Sequence, residues 1–207
     1  MSFDVWLTFV AASTVLLLIP GPTVLLVLSY ALSRGRSTAV TTAAGVALGD
    51  FLAMSASLAG LGALVLTSAT LFHLLKWIGA AYLVWLGIKL LRERPADDLA
   101  ATRAMRTDHL AIFSHATVVT ALNPKSIAFF IAFVPQFLNA SAPLLPQFAV
   151  LIATFVTLAL LNALAYALLA SVMRQRMTRP SVRLWLGRIG GGALIGMGLL
   201  TATLRRA

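Results

Sequence analysis

Asp50, Lys125 and Asn162 each fall inside a long apolar run of this 207-residue chain. Two further features interrupt such runs: Pro20-Gly21-Pro22 within the stretch LLLIPGPTVLL, and Asn123-Pro124 immediately before Lys125. Proline removes an amide donor and clashes with the preceding turn. Both runs therefore read as helices broken partway along. A break leaves amides free at one half's N-terminus and carbonyls free at the other's C-terminus, and the two ends carry opposite partial charges. A carboxylate suits the first end and an ammonium suits the second, so the breaks could hold an amino acid by its two charged ends. The alternative for each break is a plain structural kink.

The side chains beside the breaks extend this chemistry. Lys125 lies near mid-span, where it would add a positive charge for a carboxylate; its rival roles are snorkelling to an interface or capping a helix end. Asp50 is the one acid well inside an apolar segment. Embedded acids are costly and usually functional, so Asp50 is assigned as a proton carrier, against a packing hydrogen bond or a fixed partnership with Lys125. Asn162 serves either substrate or helix 1. Thr38, Thr41 and Thr42 need do no more than satisfy backbone, and Lys76-Trp77 reads as an interface anchor. His73, His109 and His115 have no ligand spacing. H-E-x-x-H and Walker A patterns are absent, as is cysteine, so no metal, cofactor or nucleotide is expected and no enzymatic site is legible.

The surroundings explain why these polar groups stand out. The chain is 60% hydrophobic and 11% charged, which a soluble domain of this size could not bury. Lipid is its solvent. The net charge of +10 sits between apolar segments rather than in a stripe with aromatics, which argues against nucleic acid. The N-terminus lacks a basic region and its apolar run ends in Pro-Gly-Pro, so no cleaved signal peptide is expected.

A spanning helix needs about 20 apolar residues. Six segments qualify, roughly 3–31, 38–66, 69–92, 110–138, 143–173 and 182–204. The first, third and fifth connections carry Arg34 and Arg36, then Lys89 to Arg106, then Arg174 to Arg183; the second and fourth are neutral. Basic connections stay cytoplasmic, which turns both termini outward, with Arg205 and Arg206 dissenting. A five-span arrangement with an inward N-terminus and one re-entrant segment stays open. Ile78-Gly79 to Leu86-Gly87 shares Ile, Gly, Leu and Gly at equal offsets with Ile189-Gly190 to Met197-Gly198. Segments 1 and 4 are broken, and segments 2 and 5 each hold an embedded polar residue, Asp50 and Asn162. The expected fold is thus one all-α transmembrane domain over 1–207, made of two three-helix repeats at about 1–94 and 108–207. A three-span repeat must invert, a transporter architecture.

Pro20-Gly21-Pro22, Gly45-Val46-Ala47-Leu48-Gly49-Asp50, Lys76-Trp77 through Gly87, Asn123-Pro124-Lys125-Ser126, Phe129-Phe130 and Pro135-Gln136-Phe137 together resemble the lysine exporter and homoserine/threonine efflux family of bacterial amino-acid exporters. The resemblance spans essentially the whole chain. It implies a multi-pass inner-membrane efflux carrier for an amino acid, proton-driven and homodimeric, with the two breaks and Asp50 as its translocation core. It does not select the amino acid. The competing readings are a carrier of another small solute or ion on this scaffold, and a membrane protein that transports nothing.

Overall fold

The computed structural model describes all residues except 68, 93–107, 140–141, 178–179 and 204–207. The described residues form eight α-helices and no strand: α1 (Phe3–Leu18), α2 (Pro22–Arg34), α3 (Ala39–Thr67), α4 (Ala69–Arg92), α5 (His109–Ala121), α6 (Pro124–Ala132), α7 (Leu144–Met177) and α8 (Pro180–Thr203). Short 3-10 turns at Arg36–Thr38 and Val134–Phe137 follow α2 and α6.

Both expected breaks are present. The chain bends by 56° between α1 and α2 and by 45° between α5 and α6. Each second half starts with proline at its first turn, where the missing N–H costs nothing. Gly35 ends α2 with φ +78°, a left-handed conformation that glycine adopts without strain.

By length and composition, Ala39–Gly62 and Leu144–Ala170 could each cross a membrane, and each bent pair could make a further crossing. The other two expected segments are the 24-residue helices α4 and α8, of which α4 carries a shorter apolar stretch, Trp77–Lys89. Hydroxyls inside the apolar helices bond their own backbone one turn back, as Thr14, Thr42, Thr117 and Thr157 do.

Helix α3 packs along α5 and α7, while α4 pairs chiefly with α8. Small residues let the backbones close up. A Cβ on Gly45 would meet the Phe113 carbonyl at 2.6 Å, and one on Gly49 would meet the Thr117 carbonyl at 2.6 Å. Gly87 and Gly191 lie against each other's carbonyls. The similar Gly-rich stretches of α4 and α8 are therefore packed on one another. The core is aromatic on one side: Phe129 and Phe130 of α6 meet Phe155 of α7, while Phe133, just after α6, meets Phe129 and Phe137, and Phe137 meets Phe9 of α1.

Candidate functional site

The last four carbonyls of a helix have no partner inside it, and Pro20 and Pro22 prevent α1 from continuing to supply them. The Ile19 N–H turns back to Leu16 O at 3.2 Å, and side chains from α6 and α7 supply the other donors. Lys125 Nζ donates to Leu16 O at 3.0 Å and Ile19 O at 2.9 Å. Asn162 Nδ2 donates to Leu17 O at 3.1 Å. Tyr166 Oη donates to Leu18 O at 3.0 Å. All four carbonyls from Leu16 to Ile19 thus accept from one ammonium, one amide and one phenol. The ammonium is placed where the helix dipole is negative.

Gly21 belongs to the same arrangement. A Cβ there would stand 3.3 Å from Lys125 Nζ and 3.4 Å from Lys125 Cε, so the absent side chain leaves room for the lysine. The proline pair breaks the helix, and the glycine between them admits its cap.

The second break is held by Asn123. Its Oδ1 accepts from the Lys125 backbone N–H at 3.0 Å, the bond of an Asn N-cap. Its Nδ2 donates to Thr23 Oγ1 at 3.0 Å, and the Thr23 and Thr120 hydroxyls are 3.4 Å apart. The two breaks are therefore tied to each other through α2, α5 and α6. The N-terminus of α2 is different: Gly21 offers no capping side chain.

These groups surround a cavity of about 20 Å³, room for about one water molecule. Asp50, Lys125, Asn162, Tyr166, Thr23 and Asn123 all line it. Asp50 is 2% exposed and its Oδ1 has no hydrogen-bond partner. Lys125, 8% exposed, hydrogen-bonds the α1 carbonyls, while its charge lies near enough to attract the Asp50 carboxyl without bonding to it. The aromatic cluster begins one turn beyond Lys125 on α6. The glycine-lined α3–α5 contact passes beside Asp50 on α3.

The structure thus brings Asp50, Asn123, Lys125 and Asn162 together around one space. Pro20, Gly21, Pro22 and Pro124 do not line it; they shape the backbone that does. Of the two readings for Asn162, the contact with helix 1 is the one present. Of those for Lys125, the helix-end cap is present. Tyr166 and Thr23 join the site without having been singled out. Tyr166 follows Asn162 by four residues, one helical turn on the same face, which is the signal that points to it. Among the described residues no group of three His, Cys, Asp or Glu is arranged to hold a metal.

The profile of the LysE type translocator family matches residues 14–204. The chain belongs to that family. A LysE-family relative from Salmonella typhimurium, named a homoserine/homoserine lactone efflux protein, is 33% identical with all of both chains aligned. A leucine efflux protein of Salmonella choleraesuis is 33% identical over 66% of this chain and 64% of its own. A Vibrio cholerae protein named only as a membrane protein is 35% identical over 99% of this chain and 100% of its own. No solved structure gives a significant match. Family membership and the apolar helices together make this a multi-pass membrane protein.

The carbonyl cap is open to direct measurement. Tyr166→Phe and Asn162→Leu should each leave one α1 carbonyl without its side-chain donor and cost about 1 kcal/mol. Denaturant unfolding of the purified protein in detergent measures this. Wild-type midpoints for both variants would show that these bonds contribute nothing.

Proposed function

We propose that this protein is an inner-membrane amino-acid exporter working by proton/amino-acid antiport. The observation that carries the reading is the α1 break, where four consecutive carbonyls are held by side chains beside a cavity that also takes in the buried Asp50 carboxyl, whose Oδ1 has no hydrogen-bond partner. Irregular backbone at membrane depth is tolerated where it lines a cavity, and transporters use such ends for charged solutes. The relatives add a chemical clue. Homoserine, homoserine lactone and leucine share an ammonium next to a carbonyl, but the lactone has no carboxylate. The ammonium is the group common to all three, and a carbonyl cluster is what binds an ammonium. The uncapped N-terminus of α2 suits a carboxylate when the substrate has one.

In this reading α1–α2 and α5–α6 are each one broken span, and six spans form two inverted repeats with basic connections inside and both termini outside. The contacts of α3 with α7 and of α4 with α8, and the matching pairs α2–α7 and α3–α6, fit such a pseudo-twofold. Substrate enters from the cytoplasm, a proton from outside loads Asp50, and rocking of the repeats exchanges access. One charge crossing about 100 mV is worth roughly 2.3 kcal/mol, about a fiftyfold concentration ratio.

The test uses cells loaded with a mixed dipeptide pool and expressing the wild-type chain. Free amino acids in the medium are timed with and without a protonophore. One class of amino acid should leave faster than from control cells, and the protonophore should remove that difference. Export untouched by the protonophore would sink antiport; no amino acid leaving faster would favour another solute.

A further inference from the structure

We infer that Lys125 is a tethered stand-in for the substrate's ammonium. It holds the ammonium subsite in the empty carrier, and bound substrate displaces it onto Asp50. The inference rests on the amino-acid exporter reading and names the part of the site that recognises the shared ammonium.

Three observations carry it. First, an ammonium already sits on the carbonyls. Lys125 Nζ reaches Leu16 O and Ile19 O at 3.0 and 2.9 Å, with the geometry of a charge-assisted hydrogen bond. A primary ammonium on a four-carbon stem presents the same three donors as an amino acid's ammonium. Second, the cavity beside it has room for about one water. An amino acid cannot be added to this arrangement; something must leave. Asn162 and Tyr166 hold the other two carbonyls from α7, and Asn123 holds α6 to α2. The flexible lysine stem is the part that can move without unpicking those ties. Third, the same cavity contains an acceptor with nothing to accept. Asp50 Oδ1 is buried and no protein group donates to it, and a buried polar atom in that position calls for an explanation. A displaced Lys125 ammonium would otherwise be a buried charge without a partner, which is costly. Asp50 supplies the partner.

The cycle follows. In the empty carrier Lys125 caps α1 and keeps the carbonyls from lying bare. Substrate brings its own ammonium to Leu16 O and Ile19 O. Lys125 Nζ swings to Asp50, and substrate departure returns it. A solute whose amine is acylated has no ammonium to offer and does not displace the lysine.

The first test is thermal unfolding of the purified full chain in detergent, for wild type, Lys125→Ala and Lys125→Met. The probes are ethylammonium, leucine, homoserine and N-acetyl-leucine. Ethylammonium should stabilise both variants saturably and leave wild type unchanged, because it fills an emptied subsite. Whichever of leucine and homoserine stabilises wild type should stabilise the variants at roughly tenfold lower concentration, since the internal competitor is gone. N-acetyl-leucine should stabilise none of them. No effect of ethylammonium on either folded variant, or equal stabilisation by N-acetyl-leucine, would overturn the proposal.

A second measurement needs no lysine variant. The chain has three lysines, Lys76, Lys89 and Lys125, so a ¹⁵N-lysine spectrum is simple. The amino acid should move the Lys125 Nζ signal and N-acetyl-leucine should not. In Asp50→Asn the substrate-bound position should differ from that of the wild type. An unmoved signal in the presence of an amino acid that the protein demonstrably exports would refute displacement while leaving the exporter reading intact. Ethylammonium stabilisation of Lys125→Ala in a protein that exports no amino acid would keep the ammonium subsite and overturn the exporter reading.

Discussion

Asp50→Asn is expected to make export insensitive to the proton gradient. With wild type, a gradient equivalent to about 100 mV should support a roughly fiftyfold accumulation ratio. With the variant that ratio should fall to about one, measured in vesicles with an imposed gradient and a fixed substrate pool. Its stability should not fall. Asp50 Oδ1 has no hydrogen-bond partner to lose, and a buried orphan acceptor itself costs about 1–3 kcal/mol. An amide of the same shape loses no hydrogen bond and sheds the cost of burying a charge, which offsets the lost attraction to Lys125, so the unfolding midpoint should stay close to that of the wild type. This pairing of lost coupling with kept stability separates a functional carboxyl from a structural one. A structural Asp50 would lower the midpoint; a variant that still responds to the gradient would remove Asp50 from coupling.

Gly49→Leu should have the opposite signature. A Cβ at Gly49 would meet the Thr117 carbonyl at 2.6 Å and Thr120 Cβ at 2.7 Å, and the Ala121 amide at 3.0 Å. Two of these atoms are backbone, so relief requires α3 and α5 to part. Overpacking a well-filled contact costs about 1–3 kcal/mol. The α3–α5 seam also holds Thr120, which meets the Thr23 hydroxyl that accepts from Asn123. Parting the helices should therefore loosen the second break, and export should be lost together with stability. The lowered melting temperature of the purified variant measures the first effect and vesicle transport the second. A wild-type melting temperature would mean that α3 and α5 do not pack this closely.

Much of this architecture was legible because lipid forces local honesty on a sequence. Proline within an apolar run kinks or breaks the helix, and both breaks at Pro20-Gly21-Pro22 and Asn123-Pro124 are where the prolines put them. Asp50 stood out because a carboxyl within an apolar helix has few structural excuses. The shared glycine spacing of α4 and α8 was read only as a sign of a repeat; that these small residues also bring the two helices into contact came with the structure. The contacts among the polar groups were not legible. Lys125 was read as a charge awaiting a carboxylate, with the helix-end cap as a rival role. Which role wins depends on the distance from α6 to the end of α1, and that distance is set by long-range packing. Tyr166 was not singled out, because nothing in its own stretch of sequence says that its hydroxyl reaches Leu18 O of another helix. The role of Gly21 was equally hidden, for the space it leaves is used by a residue more than a hundred positions away.

The size of the central cavity has a consequence for the resting membrane. A chamber of about 20 Å³ holds about one water, and one molecule cannot form a continuous file. One turn beyond Lys125 the Phe129, Phe133 and Phe155 rings pack on one another, an apolar cluster that offers no polar group to extend such a file. Within this cavity, then, protons find no file of water to hop along. For the exporter proposed above, an idle copy would not short-circuit the membrane voltage through this cavity.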